Sequence, residues 1–358
     1  MSARLTVTQP GALTTVQDLG RRGWRRSGVP LAGALDPGLL RLANRLAGNA
    51  DAAPALEFFL SGPTLQALDA PVQLAFAGHF RVALQRGGQR QVLDGWRSVT
   101  LQPGDSLRVG QVQVGRVGYV AVAGLVVPTV LGSASTYLRA RLGGLGGRAL
   151  AAGDQLAAAA APAAQDGQGP APPERMLRHP PVPLDAPIRV VPGPQDDHFD
   201  AAAMAAFLQT PFRISRDADR MGLRLEGTPL QHRHDKGAEI VSDAAVPGSI
   251  QVPGNGLPIV LLADGQTAGG YPKIATVASA DLPRLACAAV GSTVRFSAIS
   301  VAEAEALART HEAALQRLLA AIEPLWLVDG VDQAALYAGN LVSGMIDALA
   351  PAAPGHPS

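Results

Sequence analysis

Between residues 72 and 122 the apolar residues fall into short runs, VQLAFAG, RVALQ, SVTL, SLRVG and YVAVAG. Glycine and proline turns separate them, as at Gly87-Gly88 and Pro103-Gly104-Asp105. Spacing this tight predicts an antiparallel barrel or sandwich and leaves no room for crossover helices between parallel strands. Short strands resume later, at IRVVPG, FRIS and MGLRLEG. Residues 157–187 intervene, with AAAAAPAA, GPAPPE and HPPVP, and repeated prolines of this kind read as a linker. Beyond Phe296 the pattern turns helical, with Leu307, Leu315, Leu318 and Leu319 at helical spacing until Pro324. The expected organisation is a β-barrel domain over 1–156, a linker over 157–187 and a second barrel over 188–300. A helical segment ending in a disordered tail should fill 301–358.

Composition narrows the function classes. With 358 residues, 47% hydrophobic and 16% charged, the chain is globular, and a net charge of +1 gives no electrostatic case for nucleic acid. Cys287 is the single cysteine, so an intrachain disulfide and a four-cysteine zinc site are excluded; it reads as a structural thiol on an apolar helix face. The first residues lack a signal peptide's apolar core, and the longest apolar run, 119–131, is too short to span a bilayer and contains Pro128. A soluble, cytoplasmic protein that does not enter the membrane is the expectation. His232 and His234 sit among Arg233, Asp235 and Lys236 and read as a solvated turn, so no metal ligands are assigned. No GxxxxGK[ST] loop, AMKM-like biotinyl lysine or GxSxG elbow occurs. Gly144-Leu145-Gly146-Gly147-Arg148-Ala149 lacks the strand–turn–helix frame of a dinucleotide fingerprint and reads as a barrel loop.

The polar specificity is concentrated in three phrases. Residues 248–276, GSIQVPGNGLPIVLLADGQTAGGYPKIAT, bring together Gln251, Asp264, Gln266, Thr267, Gly269, Gly270, Tyr271 and Lys273. Adjacent glycines permit close backbone approach and leave amide donors accessible, Tyr271 can stack and hydrogen-bond, and Lys273 supplies a cation. The same residues also suit a tight hairpin with solvated polar groups. Residues 214–227, ISRDADRMGLRLEG, carry Asp217, Asp219, Arg220 and Arg224, as an ion-pair network or as part of a site. Residues 14–36 carry Asp18, Arg21, Arg22, Arg25 and Arg26, a carboxylate- or phosphate-binding set or a basic surface loop. Asp36-Pro37 opens a helix that Gly48 ends, and Glu57 suits an ion pair with one of the earlier arginines. Ser133, Ser135 and Thr136 in GSAST offer hydroxyls to an oxyanion or simply form a turn.

In order and wording these phrases resemble the 5-oxoprolinase C-subunit family, also described as allophanate hydrolase subunit 2-like or biotin-dependent carboxyltransferase-like. NRLAGN, LEFFLSGP, YVAVAGLVVPTVLGSAST and LGGLGGRALAAGD extend the likeness over about residues 5–298, with Leu125 and Ala134 as departures. The resemblance implies a mainly β fold of two cyclophilin-like antiparallel barrels, and action with separate B- and A-subunits on a small-molecule amide. It implies ATP-dependent opening of 5-oxoproline to L-glutamate, with ATP and Mg²⁺ in the assembled complex and no turnover by this chain alone. Phosphorylating a lactam oxygen needs cations and N–H donors around the transferring group and a carboxylate for Mg²⁺ or water. On that reading Lys273, Asp264, Arg220 and Tyr271 are the catalytic candidates. Gln251, Gln266, Thr267, Gly269, Gly270, Arg224, Asp18 and Arg21 are the substrate-binding ones. Two alternatives stand beside it: a carboxyltransferase component that moves CO₂ to urea or a related amide from biotin carried by another chain, and a non-catalytic antagonist of a kinase inhibitor.

Overall fold

The computed structural model describes residues 2–159, 173–182 and 184–325, with two further short strands at Leu327–Val328 and Val331–Asp332. Eleven strands build the N-terminal half: β1 (Ser2–Gln9), β2 (Ala12–Gln17), β3 (Ala55–Phe59), β4 (Thr64–Ala67), β5 (Val72–Ala77), β6 (Arg81–Arg86), β7 (Gln89–Asp94), β8 (Ser98–Leu101), β9 (Ser106–Val109), β10 (Val117–Val122) and β11 (Gln155–Ala159). They form a six-stranded sheet, β11-β1-β4-β9-β6-β7, and a five-stranded sheet, β2-β3-β10-β5-β8, paired antiparallel.

The two-residue period of a strand sorts the side chains of the five-stranded sheet. Leu56 and Phe58, Leu74 and Phe76, and Val120 and Val122 fill the core between the two sheets. Their neighbours Ala55 and Phe59, Ala75 and Ala77, and Tyr119 and Ala121 enter a second core shared with the C-terminal half. Covered on both faces, β3, β5 and β10 are buried at every position, and only Glu57 and Gln73 interrupt their largely apolar sequences. Helix α1 (Pro37–Ala47) lies on that second face. The Asp36 carboxylate accepts from the Leu39 amide at 3.0 Å, Pro37 occupies the first turn, and Gly48 ends the helix at φ 78°.

The C-terminal half contains β12 (Arg175–Met176), β13 (Ile188–Pro192), α2 (Ala201–Gln209), β14 (Phe212–Ile214), β15 (Gly222–Glu226), β16 (Asp243–Ala244), β17 (Ser249–Gln251), β18 (Ile259–Leu261), β19 (Ala268–Gly269), β20 (Lys273–Val277), α3 (Leu282–Ala286), β21 (Thr293–Val294), β22 (Phe296–Ala298), α4 (Val301–Ala320) and β23 (Glu323–Pro324). Eight strands form one sheet in the order β21-β14-β15-β18-β17-β20-β13-β22. Its outermost strands are separated in the chain by Arg295 alone, so the sheet nearly closes into a barrel. The fold is mainly β, with four α-helices among the described residues. None of those helices is long and apolar enough to cross a membrane.

Two element ends differ from the sequence reading. Strand β11 continues to Ala159 because Leu156 and Ala158 enter the N-terminal core and alanine is tolerated in a paired strand. Residues 160–172 and 183 of the expected linker lie outside the described residues, as do 333–358, the end of the expected helical segment with its tail at 351–358. Helix α4 stops at Ala320, and the chain enters β23, which pairs with β12. Arg41 of α1 grips Glu312 of α4 through two hydrogen bonds of 2.9 and 3.0 Å, fastening the last helix to the N-terminal half.

Candidate functional site

The three polar phrases meet in space. The Ala32 amide donates to the Ala263 carbonyl at 2.9 Å, and the Asp264 amide donates to the Arg220 carbonyl at 3.0 Å. At their centre Arg220 is 3% exposed. Its guanidinium donates to both Asp264 carboxylate oxygens at 3.1 and 3.0 Å, to the Gly33 carbonyl at 2.6 Å and to Glu57. Glu57 in turn accepts from the Leu35 amide at 2.8 Å and from the Tyr119 hydroxyl at 2.5 Å. Although burial opposes its charge, Glu57 and Asp264 raise the Arg220 guanidinium above its ordinary value. Glu57 therefore pairs with Arg220 of the other half and not with an arginine of residues 14–36. Arg220 and Asp264 neutralise each other inside the joint between the halves, so both are committed before any ligand arrives.

Asp18 and Arg21 form a second cluster, turned inward. The Asp18 carboxylate accepts from the Gly20 amide at 2.8 Å, the Ser133 hydroxyl at 2.7 Å, the Ala134 amide at 2.7 Å and the Ser135 hydroxyl. Thr136 donates its hydroxyl to the Val16 carbonyl at 3.0 Å. The GSAST hydroxyls are thus spent on holding residues 14–36, not displayed to an oxyanion. Arg21, fully buried, donates to the Val130 carbonyl at 2.9 Å and the Ser135 carbonyl at 2.7 Å, and its Nη1 has no partner.

The third cluster is open. Strands β17 and β20 pair with a bulge between Ile250 and Gln251, which sets Gln251 opposite Lys273. Bulges of this kind re-aim a side chain and recur beside functional sites. Lys273 is 3% exposed, and its Nζ donates to Asp243 at 2.9 Å. Gln195 joins them, with Nε2 3.2 Å from the Asp243 carboxylate and Oε1 accepting from the Lys273 amide at 3.3 Å. The hydrogen bond from Lys273, then the Ala244 amide and Gln195, hold the Asp243 carboxyl below its ordinary range. Gln266 donates to Gln251 Oε1 at 3.1 Å, while the buried Gln251 Nε2 finds no acceptor. A Cβ on Gly269 would stand 2.5 Å from that Nε2, so any larger residue there would push the end of the Gln251 side chain aside.

The remaining candidates surround this cluster. Thr267 accepts from the Ala245 amide at 3.0 Å through its carbonyl, and Gly270 accepts from the Ile240 amide at 2.9 Å, so residues 240–245 lie along β19. Tyr271 is 40% exposed, two residues before Lys273. Arg224 is exposed in the same cross-strand row, Arg224 to Ile259 to Gln251. It stands two strand spacings, about 10 Å, from Gln251. Asp243 and Gln195 were not singled out in the sequence, because VSDAA and GPQDD carry no local signature of their placement. Among the described residues no group of three His, Cys, Asp or Glu side chains is placed to hold a metal. Asp264, the carboxylate suggested for Mg²⁺, is closed by Arg220, so these residues do not fit that ion. A cavity of about 540 Å³ lies elsewhere, between residues 184–188 and Arg284 and Arg295. A smaller apolar one, about 160 Å³, opens between Leu31, Leu35, Leu262 and Leu282 with Arg22 at its rim.

Comparison with known proteins gives this geometry its relatives. Residues 27–298 match the family described as carboxyltransferase domain, subdomain A and B. The 5-oxoprolinase C-subunit of Escherichia coli (strain K12) is 40% identical over 303 residues, covering 84% of this chain and 93% of the relative. That of Haemophilus influenzae is 38% identical over 309 residues, covering 85% and 94%. The crystal structure of the Kluyveromyces lactis urea carboxylase superposes with a TM-score of 0.77 at 29% identity, covering 91% of this chain and 30% of that longer protein. The chain belongs to the 5-oxoprolinase C-subunit family and carries its carboxyltransferase-type fold.

Proposed function

We infer that the protein is the C component of an ATP-dependent 5-oxoprolinase, opening 5-oxoproline to L-glutamate with the A- and B-subunits and inactive without them. The observation that carries this reading is the end-to-end match to two relatives of that name, each covered over more than nine-tenths of its length. The cluster around Lys273 supports it chemically. A cation, an unsatisfied amide donor and an exposed tyrosine on one wall suit a small polar amide. ATP and Mg²⁺ act in the assembled complex in this reading. The experiment is reconstitution with the A and B partners, following ATP-dependent release of glutamate. The expected result is turnover only in the complete mixture; steady turnover by this chain alone would overturn the reading.

A second reading has its own support in the carboxyltransferase match and the urea carboxylase relative. There the same cluster would receive CO₂ from biotin held on another chain. Avidin separates the two, because it should silence a biotin-dependent reaction and leave 5-oxoproline hydrolysis untouched.

A further inference from the structure

Donors predominate around Lys273, and the side-chain oxygens of Gln195 and Gln251 are already engaged. An ammonium has no acceptor, and Gln266 consumes the oxygen of Gln251, so that Gln251 contributes an amide N–H pair. That pair is buried and unanswered. Unlike the buried Arg21 Nη1, which is also unmet, this donor stands beside a cation whose carboxylate partner is half-exposed, so a ligand acceptor can reach it. The carboxylate paired with Lys273, that of Asp243, is weakly held by comparison. Its side chain is 49% exposed, and it comes from the two-residue strand β16. Rotating it into water leaves the pairing of β16 with β19 intact and releases the Ala244 amide, which donates to it at 2.7 Å. Gln195 Nε2, which now donates to Asp243, would then be left as a further donor at the same place.

We propose that Asp243 is a resident stand-in for the oxyanion of a small ligand, and that a carboxylate-type group displaces it to accept from Lys273 Nζ, Gln251 Nε2 and Gln195 Nε2. A planar group with two charged oxygens satisfies three converging donors, which a neutral carbonyl with one oxygen does not. The inference deepens the preceding reading and rests on it only in taking this pocket as ligand-facing. The oxyanion has two possible sources, the carboxylate of 5-oxoproline itself or free bicarbonate.

The test is a ligand-observed NMR titration of the full chain with 5-oxoproline, with its uncharged carboxamide and with bicarbonate. The expected result is binding of an oxyanion, with the carboxamide at least about tenfold weaker. Asp243→Ala should tighten oxyanion binding roughly two- to fivefold, the range set by losing one exposed ion pair as competitor. Lys273→Met and Gln251→Leu should each weaken it, and hydrogen exchange should show both variants folded. If Asp243→Ala leaves binding unchanged or weaker, or if the carboxamide binds as well as the acid, the stand-in role is refuted. Binding of neither oxyanion refutes it as well. If bicarbonate binds in this pattern and 5-oxoproline does not, the stand-in role holds and the 5-oxoprolinase reading falls.

Discussion

Arg220 and Lys273 are both cations with 3% of their side chains exposed, yet the protein treats them in opposite ways. Arg220 faces two carboxylates that are themselves 0% and 5% exposed, one from each half of the chain, and a carbonyl takes a further donor. The guanidinium there is answered from within. Lys273 faces one half-exposed carboxylate on a two-residue strand, beside a buried amide donor that nothing answers. A cation enclosed by its own counter-ions serves the fold, whereas one left with a replaceable partner is available to a ligand.

The comparison breaks most visibly at the closed end. Arg220→Leu strands the Glu57 and Asp264 carboxylates in the interior, and should cost about 3–5 kcal/mol of stability in urea denaturation. Replacing Glu57 and Asp264 with leucine in the same chain should restore much of the loss; a single variant within about 1 kcal/mol of the parent would show the cluster to be ornamental. At the open end, Lys273→Met should leave the denaturation midpoint nearly unmoved. In the reconstituted complex it should lower the rate on the order of 100-fold, the scale set by loss of one transition-state donor. Loss of stability in place of rate would make the two cations alike.

Smaller effects sharpen the contrast. Asp18→Asn keeps the volume but turns donors toward the Ser133 and Ser135 hydroxyls, and about 1–2 kcal/mol of stability should be lost without a matching change in rate per folded molecule. The least effect is expected from pH. The Asp243 carboxyl is held below its ordinary value of 3.8, chiefly by the hydrogen bond from Lys273. Its pairing therefore stabilises the protein above that value and is lost as pH falls through the lower, folded value. Between about pH 5 and about pH 8 the tightening produced by Asp243→Ala should be flat. A slope in that window would place a different titrating group at the oxyanion.

Much of the scaffold is written locally. The short runs at 72–122 are strands because their side chains alternate between two faces, both buried in β5 and β10 and one of them exposed in β6 and β9, and Asp36-Pro37 and Gly48 bound α1 because each satisfies the backbone at a helix end. The densest polar phrase also gathers in space, since Gln251, Gln266, Gly269 and Lys273 lie together. What each polar residue does there was decided by long-range pairing. Arg220 meets Glu57 across 163 positions, and Asp18 meets Ser135 across 117. Lys273 meets Asp243 across 30, through a strand of two residues with no pattern of its own. Composition and periodicity determine which surfaces are buried, because hydrophobic burial depends on local pattern. Whether a buried charge is cancelled or left available depends on a single partner brought from afar, and only the packed chain chooses that partner.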